Sequence, residues 1–151
     1  MMTKVEESWS KIDIYNAAQS IKNFSTGVFP SHWLEMVKSR LYDGDEAAAW
    51  TLHRIVRDVL TSLSPICPFF THYLSTTLYA NSSVDVREFP DIIASKSDLL
   101  NLTNHVIDFN SEVWKLKKDN GISLNTEISD VKIPEELVIL SNSLIRMHRI
   151  L

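Results

Sequence analysis

Seven cationic side chains in three places are the residues here best able to grip a phosphate. Arg54 and Arg57 stand three apart, Lys38 and Arg40 two apart, and Lys115, Lys117 and Lys118 form a short basic run. A guanidinium offers phosphate a planar fork of N–H donors, whereas an ammonium acts as a point charge. Each group also has a plainer explanation. Two arginines at i,i+3 can simply form a solvated helix face. Lys38 lies three residues after Glu35 and can pair with it. Lysines shortly before Gly121 suit a helix C-terminus, where cations meet the negative end of the dipole. Arg40 is the stronger contact candidate on its segment. No catalytic constellation accompanies these cations. His32, His53, His72, His105 and His148 are scattered, without carboxylates or cysteines at metal-ligand spacing, and read as surface or interhelix residues. There is no glycine-rich phosphate loop, no Gly-x-Ser-x-Gly and no prominent carboxylate pair, so catalytic residues and metal ligands are expected to be none.

The elements that position the cations meet at residues 62 to 79, SLSPICPFFTHYLSTTLY. Upstream, Leu52, Ile55, Val59 and Leu63 recur at helical spacing, with Val56 and Leu60 widening the stripe, which predicts a helix over 46–63 carrying Arg54 and Arg57. Pro65 ends that helix at Ser64, and Pro68 suits the first turn of the next. Phe69, Phe70, Tyr73, Leu74 and Leu78 then predict a second apolar face, closing a helical hairpin. Earlier, Ile14, Ala17, Ile21, Phe24 and Val28 predict an amphipathic helix beginning near Val5 or later and broken or kinked at Pro30. Ser31 is positioned to cap a helix over 32–41, with Trp33, Val37 and Leu41 on one stripe. Later, Leu99, Leu102, Val106, Phe109, Val113 and Leu116 predict a helix ending before Gly121. Val131 to Ile133 suit a short strand, and Pro134 opens a last helix bearing Leu137, Leu140 and Leu144.

Composition narrows the class. At 151 residues with 44% hydrophobic content, the chain can bury a sizeable core without disulfides, and its single cysteine, Cys67, reads as a small buried filler in the proline corner. A lone thiol closes no internal bridge, which favours a reducing, cytoplasmic setting. No apolar run reaches the roughly 20 residues of a membrane helix, and the N-terminus lacks a signal-peptide core, so no membrane role is expected. The net charge of −4 argues against a general DNA or RNA binder held by bulk charge, while leaving local basic patches open. Few glycines and no repeats favour helices joined by short turns. The expected fold is all-α or mainly α: an antiparallel helical bundle over 1–90 and a small helical C-terminal extension over 91–151.

Leu63, Pro65, Pro68, Phe69 and Thr71, followed by Leu74, Leu78 and Tyr79, resemble the signature of the helical anticodon-binding domain of class I aminoacyl-tRNA synthetases for valine, isoleucine and leucine. Where that family often has an acidic pair after the threonine, this chain has His72 and Tyr73. Trp33, Leu34, Glu35, Lys38, Arg40, Leu41 and Tyr42 are similar to a segment of the valine type. Residues 114 to 128, with a basic helix end before Gly121-Ile122-Ser123-Leu124, are similar to the archaeal valine enzymes. Ser83-Val84-Asp85 and Phe89-Pro90 keep the spacing of the family's Ser-Ile-His and Trp-Pro but not its chemistry, so no ligand role passes to Asp85.

The resemblance implies a piece of a larger ligase that joins valine to its tRNA, using ATP with magnesium in a catalytic part whose His-Ile-Gly-His and Lys-Met-Ser-Lys-Ser motifs are absent here. This chain would need no cofactor of its own. Its implied partners are a tRNA, most specifically a valine acceptor, and the catalytic domain of the same enzyme. Lys38, Arg40, Arg54 and Arg57 are the candidates for the RNA backbone, and Lys115, Lys117 and Lys118 for a second contact along the arm. Alternatives are the same role in an isoleucine or leucine enzyme, or a helical protein-interaction module with no RNA ligand, which the acidic balance favours.

Overall fold

The computed structural model describes residues 1–79, 83–84, 87–90 and 97–151; the expected loop at 80–82 and the reading of Asp85 lie outside them. The described residues are mostly helical and contain no sheet. Two compact units interleave along the sequence, one from residues 1–27 and 45–93, the other from 28–44 and 94–151.

In the first unit, α1 (Met2–Ser10) and α2 (Ile14–Asn23) replace the single early helix expected from periodicity. The break has a local cause. Ile12 takes a left-handed φ of 56°, and the Asp13 carboxylate caps α2 by accepting from the Asn16 N–H at 3.0 Å. Those hydrogen bonds from Asn16 hold the Asp13 carboxyl below its ordinary pKa. α2 buries Ala17 and Ile21. α4 (Glu46–Leu63) starts at Asp45, whose carboxylate accepts from the Ala48 N–H at 3.0 Å, and packs against α2 and α5. It buries Ala48, Leu60, Thr61 and Ser62, with Leu52, Ile55 and Val59 half-buried.

The double-proline corner forms as expected. The N–H groups of Ile66 and Cys67 both donate to the Leu63 carbonyl, and Pro68 occupies the first turn of α5 (Pro68–Leu78). What α5 buries is the reverse of the apolar pattern. Thr71 and Ser75 are fully buried, while Phe69 is 91% exposed, and Phe70, Tyr73, Leu78 and Cys67 are exposed too. Small hydroxyl side chains allow close helix approach. The Thr71 hydroxyl stays satisfied by donating within its own helix, to the carbonyls of Cys67 or Pro68.

A wide, π-helical stretch, Phe24–Leu34, takes the place of the break expected at Pro30, with Pro30 inside it. Proline in an α-helix lacks its N–H and crowds the carbonyl four residues back; wider winding removes that clash. Ser31 lies within this stretch and caps nothing. α3 (Glu35–Tyr42) follows directly.

In the second unit, α6 (Ser97–Asp119), a 3-10 turn (Glu135–Leu140) and α7 (Ser141–His148) gather around Met36, Val106, Phe109, Val113, Leu137 and Leu144. Trp33, Leu102 and Leu140 pack on that cluster. Leu116 leaves the predicted stripe and is 43% exposed; the buried row runs instead through Val106, Asn110, Val113 and Lys117. Gly121, at a left-handed φ of 67°, ends α6 where expected, with the Gly121 and Ile122 N–H groups donating to the carbonyls of Lys118 and Lys117. Val131 to Ile133 form no strand. The β pairing in this region is one parallel bridge between Ile128 and Ile150.

A polar chain crosses the apolar core of this unit. His148 Nε2 lies 2.7 Å from Asn110 Oδ1, and Asn110 Nδ2 lies 3.1 Å from His32 Nδ1. An amide oxygen only accepts and an amide nitrogen only donates, so His148 carries its proton on Nε2 and His32 presents a bare Nδ1. The Trp114 ring lies against both imidazoles. Desolvation, then the Lys117 ammonium, pushes the His148 pKa down to about 4. Burial also lowers that of His32.

Candidate nucleic-acid interface

The first unit brings Arg54 and Arg57 together, as their spacing on α4 requires, and adds two residues that sequence reasoning did not single out for this purpose. A recess of about 270 Å³ is lined by Arg54, Arg57, Thr61, Arg87 and Phe89, with Asp58, Glu88 and Pro90 completing it. Arg54 Nε reaches both carboxylate oxygens of Asp58, at 3.0 and 2.9 Å, so part of its charge is already answered. The Arg57 guanidinium lies over the Tyr79 ring, 5.6 Å from its centre, which keeps the planar group oriented without neutralising it. Burial raises the Tyr79 pKa, opposed by Arg57 and Arg87.

Arg87 donates from Nη2 to the buried Ser75 hydroxyl at 2.9 Å, which ties the segment after α5 back to α5 itself. Burial, and then the neighbouring Arg57 charge, lower the Arg87 pKa. Three guanidinium groups thus share a recess with two carboxylates. Guanidinium forks of this kind suit the oxygens of a backbone phosphodiester. Phe89, 38% exposed at the same recess, offers an aromatic face on which a nucleobase can stack. Arg87 and Phe89 follow α5 with no helical periodicity to assign them a face. The one available signal was the retained Phe-Pro spacing.

The other predicted cations belong to the second unit. Lys38 pairs with Glu35 at 3.2 Å, both side chains about half exposed. Arg40 is exposed and lines a separate recess with Asn142, Ser143 and Arg146. Lys115 and Lys118 are exposed near the end of α6. Lys117 is different. It is fully buried, and its ammonium donates to the carbonyls of Leu124, Thr126 and His148 at 2.8, 2.7 and 2.7 Å. That ammonium holds the chain after α6 and the end of α7 in place and does not reach solvent, so Lys117 leaves the set of contact candidates. Desolvation and the Arg149 charge lower its pKa. Periodicity placed Lys117 among surface lysines because nothing in the sequence shows three carbonyls converging.

Residues 1–133 match the anticodon-binding domain of tRNA ligase. The chain belongs to this family. The chain is similar to the valine–tRNA ligase of Nanoarchaeum equitans, 34% identical over 88% of this chain and 17% of that protein. It is similar to that of Pyrobaculum aerophilum, 32% identical over 97% of this chain and 20% of that protein, and to that of Aeropyrum pernix, 31% identical over 85% and 17%. It therefore spans a fifth or less of the length of these relatives. No solved structure matches it. Among the described residues no helix is long and apolar enough to cross a membrane.

Proposed function

We propose that this chain holds the anticodon arm of a tRNA, specifically a valine acceptor, as part of a cytoplasmic valine–tRNA ligase. The observation that carries this reading is the recess where Arg54, Arg57 and Arg87 meet the Phe89 ring. A single-stranded loop is recognised by stacking splayed bases on aromatic planes while guanidinium groups hold the backbone, and the recess offers both. Membership of the anticodon-binding family supports it, and the names of the relatives favour valine over isoleucine or leucine.

In this reading residues 1–90 form the anticodon-binding bundle and residues 91–151 its helical extension, with Lys38, Arg40, Lys115 and Lys118 as further backbone contacts. The ligase as a whole would join valine to tRNA with ATP and magnesium. Neither nucleotide motif of such enzymes occurs in this chain, so ATP and its metal are assigned to the catalytic domain, the chain's second partner, and to no residue here. A second reading is a protein-docking module. The exposed Phe69, Phe70, Tyr73 and Leu78 favour it, since an apolar helix face of this kind marks an interaction surface.

Arg57→Ala and Phe89→Ala test the main reading. Each is expected to weaken binding of a valine tRNA transcript by roughly tenfold, Arg57→Ala with a shallower salt dependence and Phe89→Ala without one. Unchanged affinity in both variants, with their helical content intact, would refute the assignment of the recess.

A further inference from the structure

The face shared by α3 and α7 carries an unusual arginine. α7 ends at His148, and Arg149 follows it with a φ of 53° and a ψ of 50°. At this position of a helix end a left-handed conformation is ordinarily supplied by glycine or asparagine, because other side chains are strained there. The conformation is fixed by backbone on both sides. The Ile128 N–H donates to the Arg149 carbonyl at 3.0 Å, the Ile150 N–H to the Ile145 carbonyl at 3.1 Å, and the Leu151 N–H to the Ile128 carbonyl at 3.0 Å. Arg149 is unfavourable electrostatically as well, since its charge acts against the buried Lys117 ammonium. A residue that opposes the fold in two ways, yet presents a guanidinium at a fixed place on the surface, points to a use for that guanidinium.

Its surroundings say which use. A recess of about 250 Å³ is lined by Lys38, Tyr42, Asn125, Arg146 and Arg149. A neighbouring one of about 420 Å³ is lined by Arg40, Asn142, Ser143 and Arg146, so Arg146 is common to both. Lys38, Arg146 and Arg149 stand in the first recess against Glu35, paired with Lys38, and Asp43, which accepts from Arg146 at 2.9 Å. This local cationic surplus occurs in a chain whose net charge is −4. Both ion pairs are solvent-exposed and open at little cost to a competing phosphate. Tyr42, which lines the first recess, is 81% exposed.

We infer that the α3–α7 face is a second RNA-backbone contact, in which Arg40, Arg146 and Arg149 hold phosphates and Tyr42 stacks on an unpaired base or ribose. This rests on the RNA reading above and extends it from Arg40 to Arg146, Arg149 and Tyr42, which the sequence did not single out. Because phosphates carry no sequence information, the contact strengthens binding without discriminating between anticodons.

The test uses the whole chain with two transcripts, a valine tRNA and one with an altered anticodon, each titrated over a range of salt. The double variant Arg146→Ala/Arg149→Gly is expected to bind both about tenfold more weakly at low salt, with the slope of log affinity against log salt reduced by roughly 1.4 to 1.8 for two lost contacts. Arg149→Gly alone is expected to raise the melting temperature or leave it unchanged while lowering affinity, which separates contact from folding. Arg149→Lys is expected to restore most of the slope. If the parent chain distinguishes the two transcripts but the double variant keeps its affinity and slope, this inference fails and the recess reading stands. If the parent chain binds neither transcript, both fail together.

Discussion

Acidification from pH 7 to pH 5 is expected to destabilise the second unit through His148. In the folded state its imidazole is 1% exposed, is packed against Phe109 and Trp114, and is held neutral with a pKa of about 4. In the unfolded chain the ordinary value of about 6.5 applies. The unfolded state therefore takes up a proton over a range in which the folded state does not, and stability falls as pH falls through that range. Stability is complete above the unfolded pKa and lost progressively down to the folded one. A difference of about 2.5 units amounts to roughly 3.4 kcal/mol in full, of which about 2 kcal/mol is lost between pH 7 and 5. His32, also shifted downward, acts in the same direction. Urea titration followed by tryptophan fluorescence reads the effect, because Trp114 lies against both imidazoles. With a typical slope of about 2 kcal/mol per molar urea, the midpoint is expected to drop by roughly 1 M. His148→Gln keeps a donor toward Asn110 but cannot titrate, and is expected to flatten the dependence. A midpoint that stays level or rises on acidification, or an equal fall in the glutamine variant, would refute this assignment of the buried network.

Three further outcomes follow from particular contacts. Lys117→Met is expected to destabilise the chain by about 2–4 kcal/mol, because three carbonyls lose a charged donor; an unchanged thermal midpoint would show that the ammonium is dispensable. Gly121→Ala meets no atom within 4 Å, so its cost is conformational, about 1 kcal/mol for a left-handed alanine, and a loss above about 3 kcal/mol in chemical denaturation would contradict that. Phe69→Ser is expected to change stability by no more than about 0.5 kcal/mol, since the ring is 91% exposed, whereas a core phenylalanine would cost roughly 3–5 kcal/mol; calorimetry separates the two.

Much of the fold was legible from local rules. Asp45 starts one helix and Gly121 stops another through capping geometry, and Pro65 with Pro68 forces the corner between α4 and α5. These signals depend only on neighbouring backbone. The misreadings of which side chains are buried involve long-range packing. Phe69, Phe70 and Tyr73 look like core because apolar spacing does not say which face of a helix meets a neighbour; Thr71 and Ser75 won that face by being small. Leu116 and Lys117 exchange expected places for a related reason, since the carbonyls that receive Lys117 come from Leu124, Thr126 and His148. In the recess, Arg54 and Arg57 were findable from helical spacing. Arg87 and Phe89 left only the Phe-Pro spacing as a signal, because tertiary contact brings them there.

Binding of this chain to a valine tRNA transcript, compared with a transcript altered in the anticodon and measured at two salt concentrations, tests the proposed recognition role most directly. Tighter binding of the unaltered transcript, weakening with salt by a slope that corresponds to a few phosphate contacts, is the expected result. Equal affinity for the two, or no binding of either at low salt, would contradict anticodon recognition by this chain and favour the docking reading of α5.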